Sequence, residues 1–392
     1  MIHMKWNSIR TKVLVVLAVC LAVGVGGTLT LLQYSFAKNS QALAVEAVNS
    51  AERLFKILED REISKMDAVS ETLLMNPDVR DAFAAKDRAL LLELTSPLYS
   101  KLKVKGITNW MFHSPEPDMV VFLRLHNPPQ FGDRLNRFMD NEVARTHAVV
   151  AGNELAKAGF ALRIIRPCYD ANQKLTGYVE FGEEIGGFIH EMKKQTGDEY
   201  GLLLSKKYVN QKFWSDSSAI LKRRDNWGDH PGFVVADKTS TNENVIAFQG
   251  DLASVAGEGK VLERFNDGKS VFVRGIFPIR DASNHTVGAM FVVRDISSVY
   301  VGMRNTQNLL ILLSVAGLVI GAVVMLTLLN RLIFRRLEHI IVVATRVVGG
   351  DFHTEIKVGS RDEIGRFEQL FEQFRCVFVD LLSNVPEFQE KE

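Results

Sequence analysis

The 392-residue chain is poor in cysteine, with Cys20, Cys168 and Cys376 as its three. No C-x-x-C or C-x-x-C-H occurs, which excludes covalent c-type haem, thiolate zinc clusters and a disulfide framework. An excess of charge of either sign is also missing: 47 Lys and Arg stand against 46 Asp and Glu, a net charge of +1. No basic surface therefore points to nucleic acid. There is no P-loop, H-E-x-x-H, G-x-S-x-G or kinase signature. No histidine pair has metal-ligand spacing, and His113 and His126 stand apart from any cluster of carboxylates in the sequence. Glu183-Glu184, and Glu62 near Asp60, read as acids on solvated helix faces. These absences predict no catalytic residue, no metal and no cofactor. What is present is 47% apolar residues, ample for a core, and a length that allows two or three domains.

Long uncharged runs set the class. No Asp, Glu, Lys or Arg falls between Lys12 and Lys38, or between Arg304 and Arg331. Each run exceeds the roughly 20 residues a helix needs to cross a bilayer. Ala42-Leu43-Ala44 offers a cleavage-like pattern. The run before it, however, is longer than the about 7–15 apolar residues of a signal peptide, so it reads as an uncleaved anchor. Lys5, Arg10 and Lys12 precede the first run, and Arg331, Arg335 and Arg336 follow the second. Positive-inside reasoning places both termini in the cytoplasm. The expected organisation is a cytoplasmic N-terminus (1–12), a first span (13–36), one long outer segment (37–304), a second span (305–330) and a cytoplasmic tail. In a Gram-negative bacterium this is a two-pass inner (cytoplasmic) membrane protein with a periplasmic segment. The cysteines then fall in three compartments, and Cys168 reads as a small core residue.

The outer segment reads as mixed α+β. Ala44, Val48, Ala51, Phe55 and Leu58 recur at 4-3-4-3 spacing, and Met66, Val69 and Leu73 resume the pattern. This predicts one helix with an apolar seam from residue 13 to 75, about 90 Å long, ended by Asn76-Pro77. The seam either packs on its own domain or also builds a parallel dimer. A shorter helix is expected at Arg88–Leu98 and a strand at Met119–His126. Ala161–Pro167 and Thr176–Gly182 flank the turn Asp170-Ala171-Asn172-Gln173 as a hairpin. The same hairpin returns 111 residues later: Arg163, Pro167, Asp170, Ala171, Gly177 and Ile185 match Arg274, Pro278, Asp281, Ala282, Gly288 and Ile296. One constant offset predicts two related modules in tandem.

Binding residues are expected in the first module. Period-two alternation places Phe122, Arg124 and His126 on one strand face. Arg163 and Glu180 lie on neighbouring strand-like runs, and Trp110, Phe112 and Phe131 are candidate pocket walls. Arg captures a carboxylate with two parallel bonds, while Glu180 or Asp133 suits an amine. The alternative is internal ion pairing of Arg124 or Arg163 with Glu154 or Glu180. Where the first module has Glu180 the second has Phe291, which favours a ligand site in the first alone.

A helix followed by two α/β modules between two spans resembles the double Cache sensory domain of bacterial chemoreceptors and sensor kinases. The resemblance rests on FHSPEPDMVVFLRLHNPPQFGDRL, GNELAKAGFALRIIRP and TGYVEFG, and covers about residues 38–300. It implies a distal module at about 77–186 that holds a small molecule, and a proximal module at about 187–300 that leads into the second span.

In the tail, Leu337, Ile341, Ala344 and Val348 follow 4-3-4 spacing. Ile364, Phe367, Phe371, Phe374, Phe378 and Leu381 follow 3-4-3-4-3. Such spacing is a coiled-coil seam, and one helix alone would expose its phenylalanines to water. Ser360 with Glu363 reads as a capping box for the second helix. Gly350-Asp351-Phe352 and Asp362-Glu363-Ile364-Gly365 resemble the HAMP signal converter over residues 331–382, which implies a homodimeric parallel four-helix bundle. The sequence departs from that pattern at Arg336, near the usual proline, and in Leu370-Phe371-Glu372-Gln373-Phe374. The residues from 383 on read as a terminus, with no output domain. The expectation is a ligand sensor that acts on a cytoplasmic signalling protein or chemoreceptor in trans. Alternatives are a truncated chemoreceptor or sensor kinase, and a membrane-anchored dimerisation scaffold that senses nothing.

Overall fold

The computed structural model describes residues 9–383 except 157–158, 221–222, 243–247, 249, 256, 258 and 360. The flanking Lys5, the Ser360 cap and the charged end beyond Pro386 lie outside the described residues. The chain divides into one unit of Ala37–Val301 and a second formed by the segments on either side of it.

Helix α1 (Ile9–Met75) is a single element, as the apolar period predicts. It stops at Asn76, whose side chain accepts a hydrogen bond from Asp78 N (3.0 Å) and opens α2 (Pro77–Ala84). After α3 (Arg88–Lys103) come β1 (Ile107–His113), β2 (Val121–Arg124), α4 (Phe138–Thr146), β3 (Val150–Ala156), β4 (Gly159–Tyr169) and β5 (Leu175–Glu184). These strands form an antiparallel sheet in the order β2-β1-β5-β4-β3. The second module runs α5 (Gly186–Thr196), β6 (Glu199–Ser205), α6 (Gln211–Ile220), β7 (Phe233–Lys238), β8 (Lys260–Asn266), β9 (Val271–Arg280) and β10 (Thr286–Asp295). Its sheet order, β7-β6-β10-β9-β8, repeats the first. The register repeats as well: Ile165 faces Glu180 in one hairpin, and Ile276 faces Phe291 in the other. Within Met119–His126 the strand covers Val121–Arg124, with Leu125 N still donating to Trp110 O at 3.0 Å.

The repeated glycine has a steric cause. A Cβ at Gly177 would lie 2.1 Å from the carbonyl oxygen of His113, and one at Gly288 would lie 2.2 Å from that of Leu203. Both modules need bare backbone where the hairpin strand crosses its neighbour.

The α1 seam is buried by its own domain: Val48, Ala51, Phe55, Leu58, Met66 and Leu73 belong to one core with residues of both sheets. Phe55 packs against Phe188 and Phe277, at ring-centroid distances of 6.0 and 6.2 Å. The modules also meet directly, through Ala282 N donating to Asn153 O at 2.7 Å. Glu62 and Glu183, expected on solvated helix faces, instead flank Lys65; Glu183 stands on β5 and Glu62 is buried.

In the second unit, α7 (Ser297–Leu329) continues through a π-helical turn (Asn330–Phe334) into α8 (Arg335–Val348), and α9 (Glu363–Ser383) follows an extended connector. Among the described residues, two helices are long and apolar enough to cross a membrane. Gln307 of α7 donates to Leu32 O at 3.0 Å. Within one chain, α8 meets α9 through a stripe one position away from the predicted seam. Ile340, Val343 and Val347 are buried against Ile356, Phe352 and Phe371, while Ile341 and Val348 are 63% and 90% exposed. Leu337 and Ala344 are half-buried, and Phe367, Phe374 and Phe378 are exposed. Asp362 caps α9, accepting from Gly365 N at 2.8 Å. Gly350 takes a left-handed φ of +91°, and Asp351 accepts from His353 N at 3.1 Å to shape the turn after α8. Glu363 and Ile364 open the first turn of α9. Arg336, standing where a proline is usual, binds both Asp362 (2.9 Å) and Glu368 (2.6 Å).

Replacing Gly177 with alanine is expected to destabilise the outer unit by roughly 1–3 kcal/mol through overpacking against a carbonyl that cannot move aside. Gly187→Ala, in open space on α5, is the control and is expected to be neutral or stabilising. Thermal melting of the full chain in detergent measures both.

Candidate ligand site in the distal module

Strand alternation sorts the first sheet into two unlike faces. Register pairs Trp110 with Phe181 and Phe112 with Val179, and these four side chains enter the core beneath the helices. Trp110 packs on Phe181 (4.7 Å) and Phe112 on Phe83 (5.0 Å). They are therefore core residues rather than the pocket walls expected from sequence. The opposite face carries Met111, His113, Tyr178, Glu180, Arg163 and Ile165, covered by α4 through Met139 and Val143.

A buried ionic cluster occupies this second face at the start of α4. Glu180, fully buried on β5, accepts from Arg163 Nη1 (2.6 Å), His113 Nε2 (2.9 Å) and both terminal nitrogens of Arg137 (3.0 and 2.5 Å). Arg137, the residue before α4, also binds Asp140 through Nε (2.8 Å) and Nη2 (2.9 Å). Its Nη1 lies 3.3 Å from Glu154 Oε2. Glu154 Oε1 in turn accepts from Met139 N at 3.1 Å, placing a carboxylate at the positive end of α4. His113 thus sits in a cluster with Glu180 and Asp140, contrary to the isolation its sequence position suggests; one ligand atom from each lies within 4.8 Å of the others.

Burial and charge pull these groups in different directions. Burial pushes the Glu180 carboxyl up, but Arg137, Arg163 and the His113 hydrogen bond outweigh it and hold the group well below the usual carboxylate range. Glu154 is raised, because burial there exceeds the help from Arg137 and the Met139 amide. Burial pulls Arg137 down, yet Glu180 and Asp140 raise it well above the ordinary guanidinium value.

The remaining sequence candidates form a separate rim. Arg124 grips Asp133 with two bonds (2.6 and 2.8 Å) and donates to Gln130 O (2.9 Å). Its partner is therefore neither Glu154 nor Glu180, and Asp133 is already paired. Phe122 packs on Phe83 (5.7 Å), and His126 lies exposed past the strand, its Nδ1 accepting from Trp110 N at 3.4 Å. Phe131 is exposed beneath the Arg88 guanidinium (3.9 Å). Sequence reasoning found Arg163 and Glu180 but missed Arg137, Asp140 and His113. The one local signal was Arg137 and Asp140 at i,i+3 where a helix begins. The matching face of the second sheet has no counterpart of Glu180: Phe291, Ile276 and Leu203 pack with Phe233, Phe248 and Leu252, while Arg274, the counterpart of Arg163, lies half-buried over the Phe265 ring (5.2 Å).

Glu180→Gln leaves Arg137 and Arg163 without their shared counter-charge and is expected to cost about 3–5 kcal/mol. The wild-type carboxyl gains its proton only below the usual range, so its stabilisation is complete at neutral pH and is lost on acidification. The variant is therefore expected to lose part of the acid limb of the melting-temperature profile. Glu154→Gln, which removes a raised carboxyl, is expected to relieve a destabilisation that grows as pH rises. Melting from pH 3 to 8 checks both.

A family model described as the double sensory domain of two-component sensor kinases matches residues 46–227. Among solved structures, the periplasmic domain of Vibrio cholerae LuxQ is similar at 11% identity and a TM-score of 0.40, over 63% of this chain and 99% of that one. The ligand-binding domain of the Pseudomonas fluorescens chemoreceptor CtaA, in complex with L-isoleucine, is similar at 11% identity and a TM-score of 0.32, over 66% and 95%. The periplasmic domain of Chlamydia trachomatis RsbU is similar at 10% identity and a TM-score of 0.34, over 69% and 99%. No curated protein matches the chain. Over residues 46–227, then, the chain is similar to the double sensory domains of two-component sensor kinases.

Proposed function

We propose that this chain is a two-pass inner-membrane sensor, with both termini cytoplasmic, whose distal module binds a small charged molecule at the Arg137–Arg163–Glu180–Glu154 cluster. It binds and does not catalyse. The observation that carries this reading is the divergence of two copies of one fold. The proximal sheet fills its second face with Phe291 and its apolar neighbours, while the distal sheet fills the same face with buried charge. A module needing only stability would keep the apolar solution, because buried ion pairs seldom outperform well-packed hydrophobic residues. The signal passes through α7 to α8 and α9, which act as a homodimeric HAMP-type bundle on a cytoplasmic signalling protein. Support for the dimer is the row of exposed apolar side chains Ile341, Val348, Phe367 and Phe374, which a second copy would cover.

The test is a thermal-shift screen of the full chain in nanodiscs against amino acids, organic acids, amines and nucleobases. A ligand at a hundred times its Kd is expected to stabilise the outer unit by about 2.7 kcal/mol, and Arg163→Ala is expected to abolish the response. A shift that survives in Arg163→Ala would move the site elsewhere, and no shift with any compound would favour the scaffold reading.

Signal relay has its own test. Cysteine placed at Phe374 in a chain with Cys20 and Cys376 changed to serine is expected to form interchain disulfides at a ligand-dependent rate. One residue inserted after Val301 is expected to remove that dependence while leaving the thermal shift intact, because it turns everything beyond it by about 100°. Crosslinking that ignores ligand in the parent chain would reject the relay.

A further inference from the structure

The two guanidiniums of the distal cluster are held differently. Arg163 stands on β4, inside the sheet. Arg137 belongs to the loop entering α4, with extended backbone (φ −111°, ψ 161°) and no side-chain cap. Its guanidinium has the surroundings of a bound cation. Nε and Nη2 bind Asp140 (2.8 and 2.9 Å), Nη1 and Nη2 bind Glu180 (3.0 and 2.5 Å), and Nη1 faces Glu154 Oε2 (3.3 Å). Three carboxylates therefore surround one tethered positive charge.

The same cluster holds polar atoms without hydrogen bonds. Glu154 Oε2 and Arg163 Nε, on residues each 5% exposed, accept and donate none and lie 3.9 Å apart; His113 Nδ1, also buried, has none. Glu180, Glu154 and Asp140 outnumber Arg137 and Arg163, which leaves an excess of negative charge apart from the imidazole. The cluster is thus built around positive charge and retains capacity for one more polar group.

We propose, building on the sensor reading of this site, that Glu180, Asp140 and Glu154 form a cradle for the guanidinium or primary ammonium group of an organic ligand, and that Arg137 is the tethered cation that fills the cradle in its absence. Ligand entry exchanges one cation for another, so the buried carboxylates stay paired throughout. The exchange also supplies a differential contact between two states: Arg137 leaves together with its bonds to Asp140 in the first turn of α4, and α4 is the element that covers the face. A divalent metal fits less well, because Arg163 holds a positive charge 2.6 Å from Glu180 Oε1.

The experiment uses the full chain in nanodiscs as wild type, Arg137→Ala and Arg137→Lys. Methylguanidinium, ethylammonium and agmatine are the probes, with sodium chloride, urea and Zn2+ as controls. Arg137→Ala is expected to melt below wild type, and millimolar methylguanidinium is expected to restore part of the loss where sodium chloride and urea do not. Agmatine is expected to bind Arg137→Ala about tenfold or more tightly than wild type, since the competing tether is gone. Adding Glu180→Gln is expected to remove that gain. Ethylammonium in place of methylguanidinium as the rescuing ion would assign the ammonium form of the ligand.

Should Arg137→Ala fail to fold, Arg137→Lys carries the test: its ammonium cannot bridge two carboxylates in parallel, so agmatine is expected to bind it more tightly than wild type. Equal agmatine affinity across all folded variants would overturn the proposal. So would tight Zn2+ binding with no response to organic cations, which would assign a metal seat at His113, Asp140 and Glu180. A wild-type shift by an anionic or neutral compound, lost in Arg163→Ala but with no response to cations in any variant, would reject the cradle and keep the sensor.

Discussion

The outer domain depends on one buried carboxylate. Glu180 is fully enclosed on a central strand, and its charge is tolerable only because Arg137, Arg163 and His113 converge on it. Each partner fixes a different piece of the module. Arg163 ties the next strand, His113 ties β1, and Arg137 ties the loop that starts α4. Glu154 then fastens the first amides of α4 to β3. Helix α4 is thus held to its sheet at one end by charge and along its length by Met139 and Val143. That combination makes its position sensitive to anything that alters the charge balance of the cluster.

The contrast with the second module separates function from folding. Both modules share sheet order, hairpin register and the glycine at the strand crossing. These features depend on backbone geometry, and changing them would break either copy. The face that carries Glu180 in one copy and Phe291 in the other is free to differ, because a sheet needs that face covered but not covered by any particular chemistry. Nearness also matters. Glu154 is preceded on β3 by Asn153, whose carbonyl accepts from Ala282 in the turn of the proximal hairpin. One strand therefore touches both the charged cluster and the module that leads to α7.

Much of this architecture was legible in the sequence. The α1 seam, the break at Asn76-Pro77 and the duplicated hairpin follow from periodicity and glycine placement, which are local properties. The site was only half legible. Arg163 and Glu180 could be found because they sit in paired strands, but Arg137 and His113 reach the cluster across 43 and 67 residues of chain, and no spacing rule encodes that. Trp110 and Phe112 were misplaced because the register of β1 decides their face, and a shift of one residue exchanges the two faces of a strand. Which stripe of α8 meets α9 within one chain was illegible for a related reason. Leu337, Ile340, Ile341, Val343, Ala344, Val347 and Val348 form two adjacent apolar stripes, and composition does not say which one meets α9 of the same chain.

Those two stripes give the second unit its logic. Contact with α9 buries Ile340, Val343 and Val347 and leaves Ile341 and Val348 in the open, beside the exposed phenylalanines of α9. A helix pair of this length is marginal on its own in water, since short helices gain most of their stability from packed faces. Arg336 adds a constraint inside each pair by binding Asp362 at the cap of α9 and Glu368 six residues further along. The pair is therefore tied at the N-terminal end of α8 by charge, while its outward stripe is exposed. On the relay proposed above, a displacement arriving along α7 would enter at that tied end, move α8 and α9 as one body and change which outward residues meet a partner. Such a relay would work by rigid rotation, with no change in how α8 and α9 pack on each other.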